Sequence, residues 1–183
     1  GLNLTIETLD GLIKHNGPVK NLAPYKKILR RDLFSNKIVF STFPSLEAQV
    51  AAISDDIAYN NHDLEDGLRA GLFTIKKVSS IPYISELINK HFKNIKNFRR
   101  EIIISQIVRD LINSMVVDVI NTTNKNLKKS SPQSINDIYK QDCLIVDFSD
   151  KMKKIDKQIK YFLKRNMYNH KKVVVNTNRG KRI

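Results

Sequence analysis

The sequence predicts a mainly α protein, a helical bundle, and three observations carry that expectation. Two long stretches, Ser45–Gly71 and Phe98–Asn121, repeat apolar residues at three- and four-residue steps, the spacing of one helix face. The first is framed by Pro44 and Ser45 at its start and by Gly71 at its end, the residues that open and close helices. Strand-like runs are few and short, Lys37–Ser41 and Leu144–Phe148.

Taken in order, Leu2–Asn16 reads as a helix with Leu4, Leu9, Leu12 and Ile13 on its apolar side, ended by Asn16–Gly17–Pro18. Lys14 and His15 fall in its last turn, where the helix dipole favours cations. Asn21–Phe43, with Pro24 and a basic knot at Lys26, Lys27, Arg30 and Arg31, reads as an irregular connection. The core helix then covers about 45–70, with Gly67 and Gly71 as alternative stops. Leu72–Val78 is a short helix broken by Ser79–Ser80–Ile81–Pro82. Pro82–Lys93 is another, with Ile84, Leu87, Ile88 and Phe92 inward.

The second long helix, about 98–121, carries Ile104, Ile107, Val108, Leu111, Met115 and Val119 on one stripe. Ile103, Ile112, Val116 and Ile120 widen that stripe, which predicts cover on more than one side. Asn121–Ser134 is polar and reads as a loop, followed by a helical turn at Ser134–Tyr139. Ser149 caps a late helix, about 149–168, lined by Met152, Ile155, Ile159, Phe162 and Leu163. Cys143, in the apolar run CLIVDF, reads as a small buried hydrophobe.

Length and composition limit the function. The 183 residues suffice for a real core and default to one domain, 1–183. No apolar run approaches the 18 or so residues of a membrane span. A single cysteine excludes an internal disulfide and fits a reducing cytoplasm. Gly-rich phosphate loops, zinc-spaced cysteines and Ser/His/Asp signatures are absent from the sequence. The formal net charge of +14 is lopsided: residues 1–71 hold 8 basic and 9 acidic side chains, residues 72–183 hold 24 and 9. A second half at +15 favours polyanions, whereas individual lysines serve solubility equally well.

The chemistry gathers on the core helix. With Asp55 at zero and about 100° per residue, Leu46, Val50, Ile53, Ile57, Leu64 and Leu68 fall on the far side. Asp55, Tyr59, His62, Asp63 and Asp66 fall on the near side, whose first turns carry Ala48, Ala51 and Ala52 rather than Lys and Glu. That pattern predicts a helix buried on both sides, with carboxylates facing a cleft. A solvated acidic face, or carboxylates paired with this chain's many cations, is the competing reading.

The stretch EAQVAAISDDIAYNNHDLEDGLRAG closely resembles the deoxyguanosine triphosphate triphosphohydrolase-like proteins of the HD-domain superfamily. LNLTIETLDGLIKHNGP, RREIIISQIVRDLINSMVVDVI and IVDFSDKMKKIDKQIKYFLKRNMY extend the likeness in order over nearly the whole chain. The resemblance implies the C-terminal portion of an HD-domain phosphohydrolase. It also implies metal-dependent hydrolysis of a deoxynucleoside triphosphate to the deoxynucleoside and triphosphate. Asp55 matches the family's last metal ligand, for magnesium, manganese or a similar divalent ion. Tyr59 matches the residue that packs on substrate, and Asp63 the contact to the sugar 3′-hydroxyl. Lys14 and His15 are possible triphosphate contacts. His62 and Asp66 are expected to orient ligands or water, and Arg99, Arg100 and Arg109 to meet phosphate or a carboxylate such as Asp118.

His62–Asp63 follows the Tyr and is therefore not the family's metal His–Asp pair, which does not occur in these residues. The sequence accordingly reads as part of a longer protein, and the fragment alone is expected to be inactive. The expected partners are a deoxynucleoside triphosphate and further copies in a homo-oligomer, with no membrane. The alternatives are an inactive product of a split gene, or a basic helical module for single-stranded nucleic acid. That module would lean on Lys164, Arg165, Lys171, Lys172, Arg179, Lys181 and Arg182, with Tyr161, Phe162 and Tyr168 for stacking.

Overall fold

The computed structural model describes residues 4–21, 23–25, 38–92 and 98–180. Among them the regular structure is helical: α1 (Ile6–Ile13), α2 (Leu46–Arg69), α3 (Ile75–Val78), α4 (Pro82–His91), α5 (Arg100–Ser130), α6 (Ile135–Tyr139), α7 (Asp150–Leu163) and α8 (Lys171–Gly180). A π turn, Lys164–Tyr168, succeeds α7 directly. The chain divides into two compact units, residues 1–55 with 120–147 and residues 56–119 with 148–183. The mainly α expectation holds.

In the first unit α1 and the start of α2 approach closely. A Cβ on Gly11 would lie 2.9 Å from the Ala48 side chain, so the small residues permit the crossing. Ser45 Oγ caps α2 by accepting the Ala48 N–H at 3.3 Å. The expected strand Leu144–Phe148 is not a strand, although Ile145, Val146 and Phe148 are buried. Its ladder partner is replaced by one side chain: buried Gln49 Oε1 accepts the backbone N–H groups of Ile145 (2.9 Å) and Val146 (3.0 Å). Gln49 Nε2 in turn donates to the Pro44 carbonyl at 2.9 Å. Residues 38–41 form no strand either, and the basic knot at 26–31 lies outside the described residues. Cys143 is exposed, contrary to the buried reading: the apolar segment it opens turns Ile145 and Val146 inward instead.

In the second unit α2 ends at Gly71, whose φ of +69° closes the helix with Leu72 N–H bonded to the Gly67 carbonyl at 2.9 Å. Gly67 is no stop. A Cβ there would sit 2.4 Å from the Phe73 ring, which stacks edge-on against Phe162 at 4.9 Å between centroids. Ile103, Ile104, Ile107, Val108, Leu111 and Met115 of α5 are buried as expected, but Val116 is exposed. Ile120, in the first unit, is exposed as well, so the widened stripe is covered only in its first half.

The polar stretch after Asn121 is not a loop. α5 runs on to Ser130, because Thr122–Lys129 contains neither Gly nor Pro, and stops where Ser131 adopts φ +43° before Pro132. Asn126 Nδ2 ties this extension to the Ile145 carbonyl at 2.8 Å. Asp118 meets no arginine among the described residues. It accepts Ser149 N–H at 2.8 Å and Oγ at 2.6 Å, fixing the residue that caps α7.

Replacing Gln49 by Ala leaves two buried N–H groups unpaired. At about 1–3 kcal/mol for each unsatisfied group, the loss is expected to reach several kcal/mol. Urea unfolding of the variant checks this, and a loss under about 1 kcal/mol would show the two amides satisfied by other means.

Candidate functional site

All three residues of the expected substrate face stand on α2. Asp55, the last α2 residue of the first unit, is exposed. Tyr59, His62 and Asp66, in the second unit, lie on the outward side too, Tyr59 at 59 % exposure and His62 exposed. The helix is therefore not buried on both sides: its acidic side faces outward, while Ile57, Leu64 and Leu68 face the core. Val50, assigned inward by the same periodicity, is exposed.

Asp63 is the exception on that side. It is half-buried, and its Oδ2 accepts a hydrogen bond from the phenol of Tyr168, at the end of the π turn. Burial, together with the hydrogen bond and negative charge of Asp63, pushes the Tyr168 phenol well above the ordinary tyrosine range. Asp63 Oδ1 has no hydrogen-bond partner among the described residues. Sequence reasoning places Tyr168 only as a stacking candidate. Nothing in an unbroken helical register would aim it at Asp63.

Beside this pair lies a polar network inside the second unit. Lys160 Nζ bridges Asp56 and Asp156, each at 3.0 Å, and Asn60 Nδ2 donates to Asp156 Oδ1 at 3.1 Å. Burial raises the Asp156 carboxyl above its usual range, and the neighbouring Asp56 charge adds to this, against the pull of Lys160. Burial lowers the Lys160 ammonium, but its hydrogen bonds to Asp156 and Asp56 more than reverse this. These carboxylates are thus paired with cations of the chain.

The other expected contacts separate. Lys14 is 2 % exposed: it pairs with Asp10 at 2.6 Å, donates to Thr42 Oγ1 at 2.8 Å and lies 5.5 Å from the centre of the Tyr139 ring. Its ammonium is engaged inside the first unit rather than offered to a triphosphate. His15 is exposed and borders an apolar groove of about 550 Å³ with Leu12, Ala48 and Ala51. Arg100 bonds the Leu68 carbonyl and so caps the end of α2, and Arg99 is exposed. Arg109 shares a shallow groove with His62 and Glu65. Lys181 and Arg182, and the side chain of Arg179, lie outside the described residues.

A divalent cation needs several donors. Among the described residues no three His, Cys, Asp or Glu side chains come together to hold one. Asp55 by itself does not make a metal site. Among the described residues no helix is long and apolar enough to cross a membrane.

The Tyr168–Asp63 pair has a pH signature. A phenol whose pKa is raised on folding adds stability below the unfolded value of about 10, and that stability is lost as pH rises through the folded value. The Tyr168 phenol is expected to ionise well above the ordinary tyrosine range. Spectrophotometric titration of Tyr168→Phe should remove the highest-pH step and flatten the stability loss above about pH 10. An unchanged titration curve apart from amplitude at ordinary pH would refute the pair.

No family model matches the chain. It is 48 % identical over 183 residues to the deoxyguanosinetriphosphate triphosphohydrolase-like protein of Pelagibacter ubique, covering 100 % of this chain and 49 % of that one. Proteins of the same name from Parvibaculum lavamentivorans and Agrobacterium fabrum are 36 % and 39 % identical over 187 and 180 residues. These alignments cover 100 % and 95 % of this chain and 47 % and 44 % of the relatives. The chain spans about half the length of the curated relatives it matches. Over the whole of this chain, and about half of each relative, the likeness is to the deoxyguanosinetriphosphate triphosphohydrolase-like proteins.

Proposed function

We propose that this chain contributes one wall of the site of an HD-domain triphosphohydrolase, which cleaves a deoxynucleoside triphosphate, dGTP-like, to the deoxynucleoside and inorganic triphosphate in the cytoplasm. The observation that carries the reading is the likeness, along the whole chain, to relatives bearing that name. In the reaction, water attacks the α-phosphorus and the bond from phosphorus to the sugar 5′-oxygen breaks. The departing oxygen takes a proton, and the triphosphate is left whole.

This chain's residues would bind and orient. Asp63 fits the sugar contact: Tyr168 occupies one carboxylate oxygen and holds the group still, leaving Oδ1 to accept from a 3′-hydroxyl. Tyr59, exposed one turn before, offers its ring as a platform. His62 and Arg109, which share a groove, provide donors for developing negative charge. Asp66 and His15, both exposed, would orient water or phosphate. The described residues do not fit a divalent metal. Asp55 is the donor this chain would offer to magnesium or manganese, with companion ligands supplied from outside the described residues. Assembly into a homo-oligomer belongs to the same proposal.

These 183 residues alone are expected to release no triphosphate from deoxynucleoside triphosphates with manganese. In a protein of the relatives' full length, Asp55→Asn should abolish turnover, since a hard cation needs the charge. Asp63→Asn should keep metal binding and lose about tenfold in discrimination against a 3′-deoxy substrate, the weight of one hydrogen bond. Turnover and calorimetric metal binding on both variants check the roles. Loss of metal by Asp63→Asn and retention by Asp55→Asn would reverse them.

A further inference from the structure

A second cleft in the second unit lies apart from the acidic side of α2. It encloses about 600 Å³ between the α3–α4 turn and the end of α7. Its lining includes Lys77, Ser80, Gln158, Tyr161, Phe162 and Arg165, and no Asp or Glu. Neither Lys77 nor Arg165 pairs with a carboxylate among the described residues. Lys14 and Lys160 are tied to carboxylates, whereas two unneutralised cations beside this one cavity leave a local positive field.

The aromatic component is set in place. Tyr161 is 61 % exposed. Arg165, one turn on, lays its guanidinium 5.6 Å from the ring centre and donates from Nη1 to the Tyr161 hydroxyl at 3.2 Å. The pair forms a cationic, aromatic platform held by two contacts rather than two free side chains. Beneath it Phe162 is locked edge-on against Phe73, and Asn166 Nδ2 is fixed to the Phe162 carbonyl at 2.8 Å.

We propose that this cleft binds a nucleoside phosphate, with the base stacked on the Tyr161–Arg165 platform and the phosphate held by Arg165 and Lys77. A flat ring and an anion joined a few ångströms apart match a stacking surface that carries its own cation. A simple anion would use the charges and leave the ring idle. The ligand is either a free nucleotide or one link of a single strand. The site is independent of the triphosphohydrolase reading, which uses the acidic side of α2.

Calorimetry at low salt with a deoxynucleoside monophosphate, inorganic phosphate and a ten-residue oligothymidylate tests this on the whole chain. The nucleotide should bind more tightly than inorganic phosphate. Arg165→Gln should weaken it at least tenfold, Lys77→Gln and Tyr161→Leu several-fold each. All three side chains are exposed, so these variants should fold. Lys129→Gln, at an exposed position of α5 in the first unit, should change nothing. Equal affinity for nucleotide and oligonucleotide supports a free nucleotide. Affinity that grows with strand length, with a salt slope reduced by about one in Arg165→Gln, supports a strand. Absence of binding, affinities untouched by Arg165→Gln and Tyr161→Leu, or an equal loss in Lys129→Gln would overturn the proposal.

Discussion

A helix that turns amide side chains inward must find a partner for each, and α2 turns in three: Gln49, Asn60 and Asn61. Gln49 takes two backbone N–H groups nearly a hundred residues away, Asn60 donates to Asp156, and Asn61 donates to the Ile57 carbonyl at 2.7 Å and to Met115 Sδ at 3.3 Å, its Oδ1 staying without a partner among the described residues. An unpaired buried amide costs more than a satisfied one contributes, so these bonds select among packings more than they stabilise one. Leu or Ile at these positions would fill space but accept many registers. The amides accept one, which sets the rotation of α2 about its axis. That rotation decides which of its carboxylates meet solvent.

Hydrophobic spacing makes the helices legible, because each apolar stripe needs only local periodicity. Ile84, Leu87, Ile88 and Phe92 at α4, and Met152, Ile155, Ile159, Phe162 and Leu163 on α7, are buried where three- and four-residue steps put them. Caps are legible for the same reason: Ser45 and Ser149 act within three residues of themselves. What stays hidden is non-local. Leu144–Phe148 has strand composition, but its N–H groups meet a glutamine instead of a second strand, and no local rule contains that choice. Polar residues at 122–129 resemble a loop because solvent exposure and irregularity look alike in composition, yet a polar helix needs only the absence of breakers.

The candidate site is legible in part. Likeness to a family selects Asp55, Tyr59 and Asp63, and periodicity alone groups them. Their environments cannot be read locally, because charge pairing depends on which helix lies alongside. Asp56 and Asp63 differ by seven residues, two turns, and so share a side of α2. Nevertheless one is bound to the Lys160 ammonium and the other to a neutral phenol. A carboxylate held by an ammonium has its charge answered. A carboxylate held by a phenol keeps its charge and one oxygen, which is the state a hydroxyl-bearing ligand requires. The same distinction removes Lys14 from the surface chemistry, since Asp10 neutralises it within one turn.

The π turn makes that distinction possible. Tyr161 and Tyr168 are seven residues apart, and in an uninterrupted α-helix they would stand within about 20° of one another on one side. Between them the chain passes through Lys164–Tyr168, where Asn169 N–H reaches back five residues to the Lys164 carbonyl at 3.2 Å. One extra residue in a turn rotates the residues beyond it by roughly 100°. Tyr161 therefore stays outward with Arg165 over the nucleoside-phosphate cleft, while Tyr168 swings to Asp63. The insertion costs backbone hydrogen-bond geometry, and π turns persist mostly where a side chain must be re-aimed. A single irregular turn thus assigns two tyrosines of one helical repeat to two separate surfaces, one that grips a carboxylate and one that carries a cation.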